Sequence, residues 1–141
     1  MITSKADIYK AAALFIDKKG KLLVSKDFGS TKWTILGGKI EAGETHIECL
    51  KREMVEELSA KIEVNPKIYK EAPVFPAAND PGKTVKHFYY FCKFITEPKL
   101  TSEVEFLHWL SKKNVEDGKF EFSEATKNFL LPSLIQDKIL L

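Results

Sequence analysis

The sequence predicts one α/β domain in which helices lie on both sides of a mixed β-sheet. A chain of 141 residues is long enough to bury one hydrophobic core, and 44% hydrophobic with 30% charged residues is an ordinary globular mixture. Apolar stretches of strand character surround a segment with helical periodicity, and a second helical segment ends the chain. This order favours a mixed sheet between helices, in a domain that covers residues 1–141.

The first predicted elements are two apolar runs, residues 8–16 and 21–26, which flank the polar residues 17–20. Two such runs around a short polar segment containing glycine predict a β-hairpin. The apolar residues 33–36 predict the end of another strand. Gly37 and Gly38 follow directly, and they predict a turn.

Residues 45–59 carry the clearest helical signal. Thr45 followed three residues later by Glu48 is a capping-box pattern, in which each side chain satisfies a backbone N–H of the first turn. Apolar residues then recur at helical spacing and predict the buried face: Ile47, Leu50, Met54 and Leu58.

The second half of the chain predicts further strands at residues 61–71, 84–96 and 103–110. Between the first two lies a turn-rich loop, residues 72–83, which is long enough to form a lid or a base pocket. A short helix is expected near residues 111–116. Ser123 is positioned to cap a final helix over 124–138, which Pro132 should break or kink.

Charge and hydropathy exclude several classes of function. The net charge of +2 argues against a nucleic-acid partner, and no apolar run reaches the length needed to span a membrane. Cys49 and Cys92 show no disulfide or metal spacing, so a reduced, cytoplasmic location is expected. Whether the chain is a monomer or a homodimer stays open.

Three glutamates crowd the predicted helix. Because successive helical residues advance by about 100°, Glu53, Glu56 and Glu57 should project as one cluster, away from the apolar face. Three carboxylates within two turns repel one another, and a divalent cation would reverse that effect. Mg²⁺ prefers carboxylate and carbonyl oxygens, and it usually retains waters and substrate phosphates.

Arg52 is the only arginine in a chain that otherwise uses lysine. A guanidinium binds a carboxylate bidentately, whereas lysine offers a point charge, so this position is expected to hold a carboxylate in a defined orientation. Glu44, Glu48 and Glu56 are the alternative partners. Ahead of the helix, glycine allows close backbone approach to a ligand at Gly37 and Gly38.

Taken together, these residues resemble the Nudix box. The chain matches eight of the nine specified positions, at Gly38, Glu44, Arg52, Glu53, Met54, Glu56, Glu57 and Ala60. The resemblance spans residues 38–60. Ser59 stands where the box has glycine at the helix end, so the exit from the helix is expected to differ. Leu36 stands where the family usually has proline, which should make the preceding loop less stiff.

The resemblance implies an α/β/α sandwich and the hydrolysis of a nucleoside diphosphate linked to another group, X. It implies that Glu53, Glu56 and Glu57 bind Mg²⁺, which Mn²⁺ can replace, together with the Gly37 carbonyl. Arg52 would orient a box glutamate, and Glu44 belongs to the same catalytic set. Either Glu53 or Glu56 would act as the general base.

Further candidates lie outside the acidic cluster. Glu103 and Glu105 precede a strand end where related enzymes often place an extra base or ligand. Lys39 resembles the family's loop lysine and is expected, with Gly38, to face phosphates. Other candidate phosphate-facing lysines are Lys26, Lys32 and Lys86. Aromatic residues for base stacking are Phe28 and Trp33 first, then Phe75, Trp109, Phe120 and Phe122. Ordinary structural roles are expected for His46, His87 and His108.

The resemblance leaves several substrates open. Short Nudix chains often resemble MutT-like enzymes, which favours a nucleoside or deoxynucleoside triphosphate cleaved to the monophosphate and pyrophosphate. The alternatives are a nucleoside diphosphate sugar, ADP-ribose, a dinucleoside polyphosphate, or an RNA cap or 5′-triphosphate, and the near-neutral charge disfavours the RNA substrates. A non-catalytic nucleotide-binding module is a further alternative.

Overall fold

A mixed six-stranded β-sheet is the central feature of the computed structural model, which describes residues 5–141. A separate pair of strands and three α-helices complete the described part of the chain. The strands are β1 (Ile8–Leu14), β2 (Leu22–Asp27), β3 (Gly37–Lys39), β4 (Ile62–Val64), β5 (Lys70–Glu71), β6 (Phe75–Pro76), β7 (Thr84–Phe94) and β8 (Val104–Leu110). The helices are α1 (His46–Leu58), α2 (Lys112–Glu116) and α3 (Leu131–Gln136).

The two central strands of the larger sheet, β1 and β7, run parallel. The short strand β3 pairs antiparallel with the other edge of β1. Along the free edge of β7, the strands β4, β5 and β6 pair one after another, also antiparallel. The second sheet contains β2 and β8 alone, in antiparallel register.

The predicted hairpin forms only at its turn. The Leu23 N–H donates to the Phe15 carbonyl at 3.0 Å, but beyond this point the two strands separate into different sheets. The hairpin prediction is therefore wrong for most of its length. The physical reason is that β3 and β7 occupy both edges of β1, so β2 has no free edge to pair with.

Two further predictions need correction. The predicted strand 61–71 is divided into β4 and β5, and Pro66 lies between them, where it has no N–H to give to a ladder. Gly37 and Gly38 form no turn after a strand, because they are themselves the start of β3 and pair with Ala12 and Ala11.

Helical segments cover both faces of the larger sheet, which confirms the predicted α/β/α arrangement in a single domain. On one face, α1 buries Leu50, Met54 and Leu58 completely. On the other face the C-terminal segment contributes Leu130 and Leu134 to a second apolar cluster. The predicted domain also includes residues 1–4, which lie outside the described residues.

The final helix is confirmed, with one irregularity. A π-helical turn, Thr126–Leu130, leads directly into α3, which has Pro132 in its first turn. Proline lacks the N–H of a regular helical ladder, so a wider turn before it is the expected adjustment. Among residues 5–141, no helix combines the length and the apolar character that crossing a bilayer requires.

Candidate active site

The N-terminal cap of α1 fixes where the acidic helix begins. The Glu48 N–H donates to Thr45 Oγ1 at 3.1 Å, and the Thr45 N–H donates to Glu48 Oε1 at 3.0 Å. This reciprocal pair confirms the capping box. Because Glu48 caps the helix, it is not the partner of Arg52, although the sequence offered it as one alternative.

Arg52 is the hydrogen-bonding centre of the site. Its Nε donates to Glu44 Oε2 at 2.7 Å and its Nη2 to Glu44 Oε1 at 3.0 Å, which is the bidentate geometry that a guanidinium allows. Its Nη1 donates to Glu53 Oε1 at 2.8 Å, and its Nη2 also reaches the Lys39 carbonyl at 3.1 Å. One lysine ammonium could not span these acceptors, which explains the lone arginine.

The partners of Arg52 differ in strength. Hydrogen bonding to Arg52 lowers the pKa of Glu44 to about 2, so Glu44 is ionised at neutral pH. The contact from Arg52 Nη1 to Glu56 Oε2 is longer, 3.3 Å, and the Glu56 side chain is 47% exposed. Glu44 therefore anchors the guanidinium, and Glu56 adds a weaker contact at the outer edge.

The glycines allow the strand β3 to lie against both β1 and α1. At Gly37 the backbone φ is 144°, and a Cβ there would collide with the Ala11 carbonyl oxygen. At Gly38 a Cβ would collide with the carboxyl group of Glu53. The glycines thus bring the backbone of β3 against β1 and the acids of α1, and their predicted close approach to a ligand stays a prediction.

The three glutamates do not all project away from the apolar face of α1, which corrects the sequence prediction. Glu57 lies on the buried side of α1 and is only 8% exposed, whereas Glu56 points outward. Glu53 lies between these extremes, with its side chain 14% exposed. The difference arises because Glu57 follows Met54 by three residues and shares its inward-facing side of the helix.

Burial raises the pKa of both inner carboxylates. Burial, and next the charge of Glu53, raise the pKa of Glu57 well above its usual range. Burial also raises the pKa of Glu53, although Arg52 opposes this by hydrogen bonding. Two carboxylates so close together cannot both ionise readily unless a positive charge joins them.

The donor set fits a hard divalent cation in part. Glu53, Glu57 and the backbone of Gly37 meet at the same cavity wall and offer oxygen ligands. Within residues 5–141, no three acidic, histidine or cysteine side chains converge as a ready metal cage, and Glu56 stays outside the cavity lining. A cation held here would complete its shell with water and phosphate oxygens, as Mg²⁺ commonly does.

A polar cavity of about 460 Å³ opens beside these acids. It is bounded by β3, by Glu53 and Glu57 from α1, and by residues 76–80 of the long loop. The long loop thus contributes one wall of the cavity, and its expected role as a lid or a base pocket stays a prediction. Lys39 lies on the cavity wall, and its predicted contact with phosphates stays a prediction.

Of the other predicted phosphate-facing lysines, one lines the cavity and two do not. Lys32 lines the cavity, together with Lys83, which was not predicted. Lys86 instead pairs with Glu71 at 2.6 Å. Lys26 lies over the ring of Phe106, 5.1 Å from its centre, and outside the cavity lining. Strand alternation decides this outcome, because Lys26 points away from the cavity that its neighbour Asp27 lines.

The two candidate acids near the start of β8 differ in position relative to the cavity. Glu103 lines the cavity from an exposed position. Glu105 lies outside that lining, and its Oε1 contacts Lys26 Nζ at 3.8 Å. Of the pair, Glu103 is placed where an extra base or ligand would act.

The predicted stacking aromatics lie outside the cavity. Phe28 is 58% exposed at the surface, and Trp33 packs edge-on against Phe120 with ring centres 5.4 Å apart. The remaining candidates, Phe75, Trp109, Phe120 and Phe122, are likewise absent from the described lining. Trp33 also contacts His108, in agreement with the structural role expected for that histidine, and His46 hydrogen-bonds to Tyr90 at 2.8 Å.

Several polar cavity residues were not identified as site residues from the sequence, among them Lys10, Asp27 and His87. These three lie on β1, at the end of β2 and on β7, so no local motif links them. Burial, and next the charge of Lys10, lower the pKa of His87 to about 4, which keeps its ring neutral. One sequence signal could have located His87. Side chains alternate between the two faces of a strand, so His87 lies on the same face of β7 as Tyr89.

The departure at Ser59 has a structural outcome. Ser59 adopts the left-handed conformation at φ 49°, and the Ala60 N–H reaches back to the Met54 carbonyl at 3.2 Å. The expected change in the helix exit is therefore wrong, because serine takes the conformation that the family gives to glycine. Leu36, at the position where the family usually has proline, is fully buried.

Comparisons with known proteins place this geometry in a family. The profile of the NUDIX domain matches residues 8–130. Comparison with the curated proteins yields no significant match.

Solved structures share the fold over nearly the whole chain. A MutT protein from Methanosarcina mazei Go1 superposes with a TM-score of 0.77 at 21% identity, covering 97% of this chain and 99% of the other. A UDP-X diphosphatase gives 0.72 at 19% identity, covering 98% of this chain and 66% of the other. An ADP-ribose pyrophosphatase from Streptococcus suis 89-1591 gives 0.60 at 15% identity, covering 89% and 90%.

At these identities the superpositions establish the fold, and the profile match over residues 8–130 establishes the family. Of the residues of the resemblance, Gly38 on β3 and Glu53 and Glu57 on α1 line the cavity wall. The chain therefore belongs to the Nudix family and is a hydrolase that acts on acid anhydrides.

Proposed function

We propose that this chain cleaves a phosphoanhydride bond of a nucleoside diphosphate linked to X, with Mg²⁺ as the cation and Mn²⁺ as a substitute. One observation carries the proposal. Two partly desolvated carboxylates, Glu53 and Glu57, lie together at the wall of a polar cavity, and Arg52 orients one of them.

The residues of the site divide into holding and orienting roles. Glu53, Glu57 and the Gly37 carbonyl would hold the cation, which when bound neutralises phosphate charge and lowers the pKa of a coordinated water. Arg52 keeps the Glu53 carboxylate in place, and Glu44 keeps Arg52 in place. Most of the rate enhancement would come from this preorganised charge.

A general base must accept a proton from the attacking water. Glu53 and Glu56 were the alternatives within the box, and only Glu53 lines the cavity. Glu103 lines it from another element and is the remaining candidate. Lys39 and Lys32 line the same cavity and would neutralise phosphate charge.

The identity of X divides the possible substrates. In a nucleoside triphosphate, which the size of the chain favours, X is a phosphate and the products are a nucleoside monophosphate and pyrophosphate. Structural neighbours carry the names MutT protein, UDP-X diphosphatase and ADP-ribose pyrophosphatase, so both phosphate and sugar-containing substrates belong in the first test.

The decisive experiment offers the purified chain a matched panel with Mg²⁺ or Mn²⁺. The panel contains nucleoside triphosphates, nucleoside diphosphate sugars, ADP-ribose and dinucleoside polyphosphates, with products identified by mass. Cleavage between phosphates that disappears in the Glu57→Gln variant would support the proposal. Nucleotide binding without turnover of any compound would instead identify a non-catalytic binding module.

A further inference from the structure

The cavity extends from the acids of α1 onto the face of the larger sheet that the C-terminal helical segment covers. Three side chains form a row across this face, because Lys39 on β3 lies opposite Lys10 on β1, which lies opposite His87 on β7. All three line the cavity. The row therefore leads from the loop lysine of the box towards the centre of the sheet.

Asp27 adds an acceptor to this row. Asp27 also lines the cavity, and the charge of Lys10 acts on both Asp27 and His87, so these three groups lie near one another. An ionised carboxylate only accepts hydrogen bonds, an ammonium only donates, and a neutral imidazole does one of each. The buried Nδ1 of His87 has no hydrogen-bond partner within residues 5–141.

The same cavity lacks the usual means of holding a nucleobase. In the part of the chain that the structure describes, no phenylalanine, tyrosine or tryptophan lines it. The one ring present, that of His87, already stacks on Tyr89 with an interplanar angle of 10°. Base binding commonly relies on a free aromatic face, and this cavity offers a base no such stacking surface.

We propose that Lys10, Asp27 and His87 bind the X group, and that X is a hydroxyl-rich sugar, which makes the substrate a nucleoside diphosphate sugar. The inference rests on the function proposed above. Sugar hydroxyls both donate and accept, and they match this mixed set of groups. A terminal phosphate would offer acceptors alone and would meet the carboxylate of Asp27.

Paired substrates test the inference directly. UDP-glucose is compared with UTP, and ADP-ribose with ATP, because each pair shares a base and differs in X. We expect kcat/KM with Mg²⁺ to be at least about tenfold higher for the sugar-containing member. Equal or better cleavage of the triphosphates would overturn the inference while leaving the proposed function intact.

Binding measurements test the assignment of the cavity independently of whether the substrate is hydrolysed. Isothermal titration in Ca²⁺, which takes the same type of oxygen ligand as Mg²⁺, compares the affinities of each pair without requiring turnover. We expect the sugar-containing member to bind at least about tenfold more tightly. If no substrate is hydrolysed but this preference persists, the proposed function fails and the assignment of the cavity stands. Equal affinities overturn the assignment.

A matched set of histidine variants tests the contact itself. His87→Phe should lower the ratio of kcat/KM for UDP-glucose to that for UTP about tenfold, and His87→Gln, which keeps a donor and an acceptor, should restore most of that ratio. The control is His108→Phe, the same substitution at a histidine that packs on Trp33 outside the cavity. An equal loss on both substrates, or no loss, contradicts a role in binding X.

Discussion

The two walls of the cavity differ in how completely the protein satisfies their polar groups. On the α1 wall, Arg52 is bound by Glu44 and Glu53, and the cap of the helix is closed by Thr45 and Glu48. On the sheet wall, like charges face each other across β1 and β3, and His87 Nδ1 is buried without a partner in residues 5–141.

This difference separates two tasks. A closed network holds its geometry before any ligand arrives, which suits groups that position a reaction. An unpaired buried polar group costs about 1–3 kcal/mol, and a ligand that pairs with it removes that cost. We therefore expect changes on the α1 wall to affect all substrates alike, and changes on the sheet wall to alter the choice among them.

The largest expected effect comes from breaking the α1 wall at Glu57. Glu57→Gln keeps the volume and removes the charge that would hold the cation, so kcat should fall at least about 100-fold on every substrate. The control is Glu63→Gln on β4, an exposed glutamate outside the cavity lining, which should leave kcat unchanged. Steady-state rates with Mg²⁺ check both variants, and near-normal turnover in Glu57→Gln would remove Glu57 from the metal site.

The next effect concerns the guanidinium. Arg52→Lys keeps the positive charge but loses the bidentate contact to Glu44, so Glu53 should shift and kcat should fall about 10–100-fold. The neighbouring Lys51→Arg, at an exposed position, is the control. The ratio of rates on UDP-glucose and UTP should stay constant in Arg52→Lys. A changed ratio would contradict the expectation that the α1 wall affects all substrates alike.

The pH dependence of stability tests whether the buried carboxylate of Glu57 on the α1 wall needs a cation. Because burial raises the pKa of Glu57 above its ordinary value of 4.5, the folded state binds more protons than the unfolded state above that pH. Stability of the metal-free protein should therefore fall as pH rises from about 7 to about 9. Below 6.5 the lowered pKa of His87 acts in the opposite direction, because the unfolded state binds the extra proton there. Urea midpoints across this range measure the slope. Glu57→Gln should flatten it, and excess Mg²⁺ should reduce it because the cation stabilises the ionised carboxylates.

The smallest expected effect lies away from both walls. Ser59→Gly removes the steric cost of a left-handed serine at the end of α1. The free energy of unfolding should rise by about 0.5–1 kcal/mol, after subtraction of the extra entropy that glycine has in the unfolded chain. Lys138→Gly relieves a similar conformation, at φ 58°, and should behave alike. Neither change should alter kcat. A loss of activity in Ser59→Gly would mean that the helix exit influences the site.

Local features of the site were predictable because they depend on neighbours in sequence. The capping box at Thr45 and the apolar face of α1 follow from helical periodicity, and both are confirmed. The demand for a guanidinium at residue 52 follows from the spacing of glutamates around it. Its bidentate partner, Glu44, was one of three alternatives, and the fold selected it by assigning Glu48 to the cap.

Other predictions failed where the answer depended on which strands become neighbours. Pairing of β1 with β7, and of β2 with β8, cannot be inferred from a local hairpin pattern. The aromatic candidates Phe28 and Trp33 had suitable chemistry but lie outside the cavity lining. Glu56 and Glu57 are adjacent in sequence, yet one is exposed and the other buried.

The sequence by itself determined an α/β domain, an acidic helix with a capped start, and one arginine that binds a carboxylate bidentately. These properties depend on spacing within a few turns of chain, where geometry is set by the helix. Only the tertiary structure decided that Lys10, Asp27 and His87 meet in one cavity, because strand pairing brings together residues far apart in sequence. It also decided how far each carboxylate is buried, which sets its pKa through desolvation.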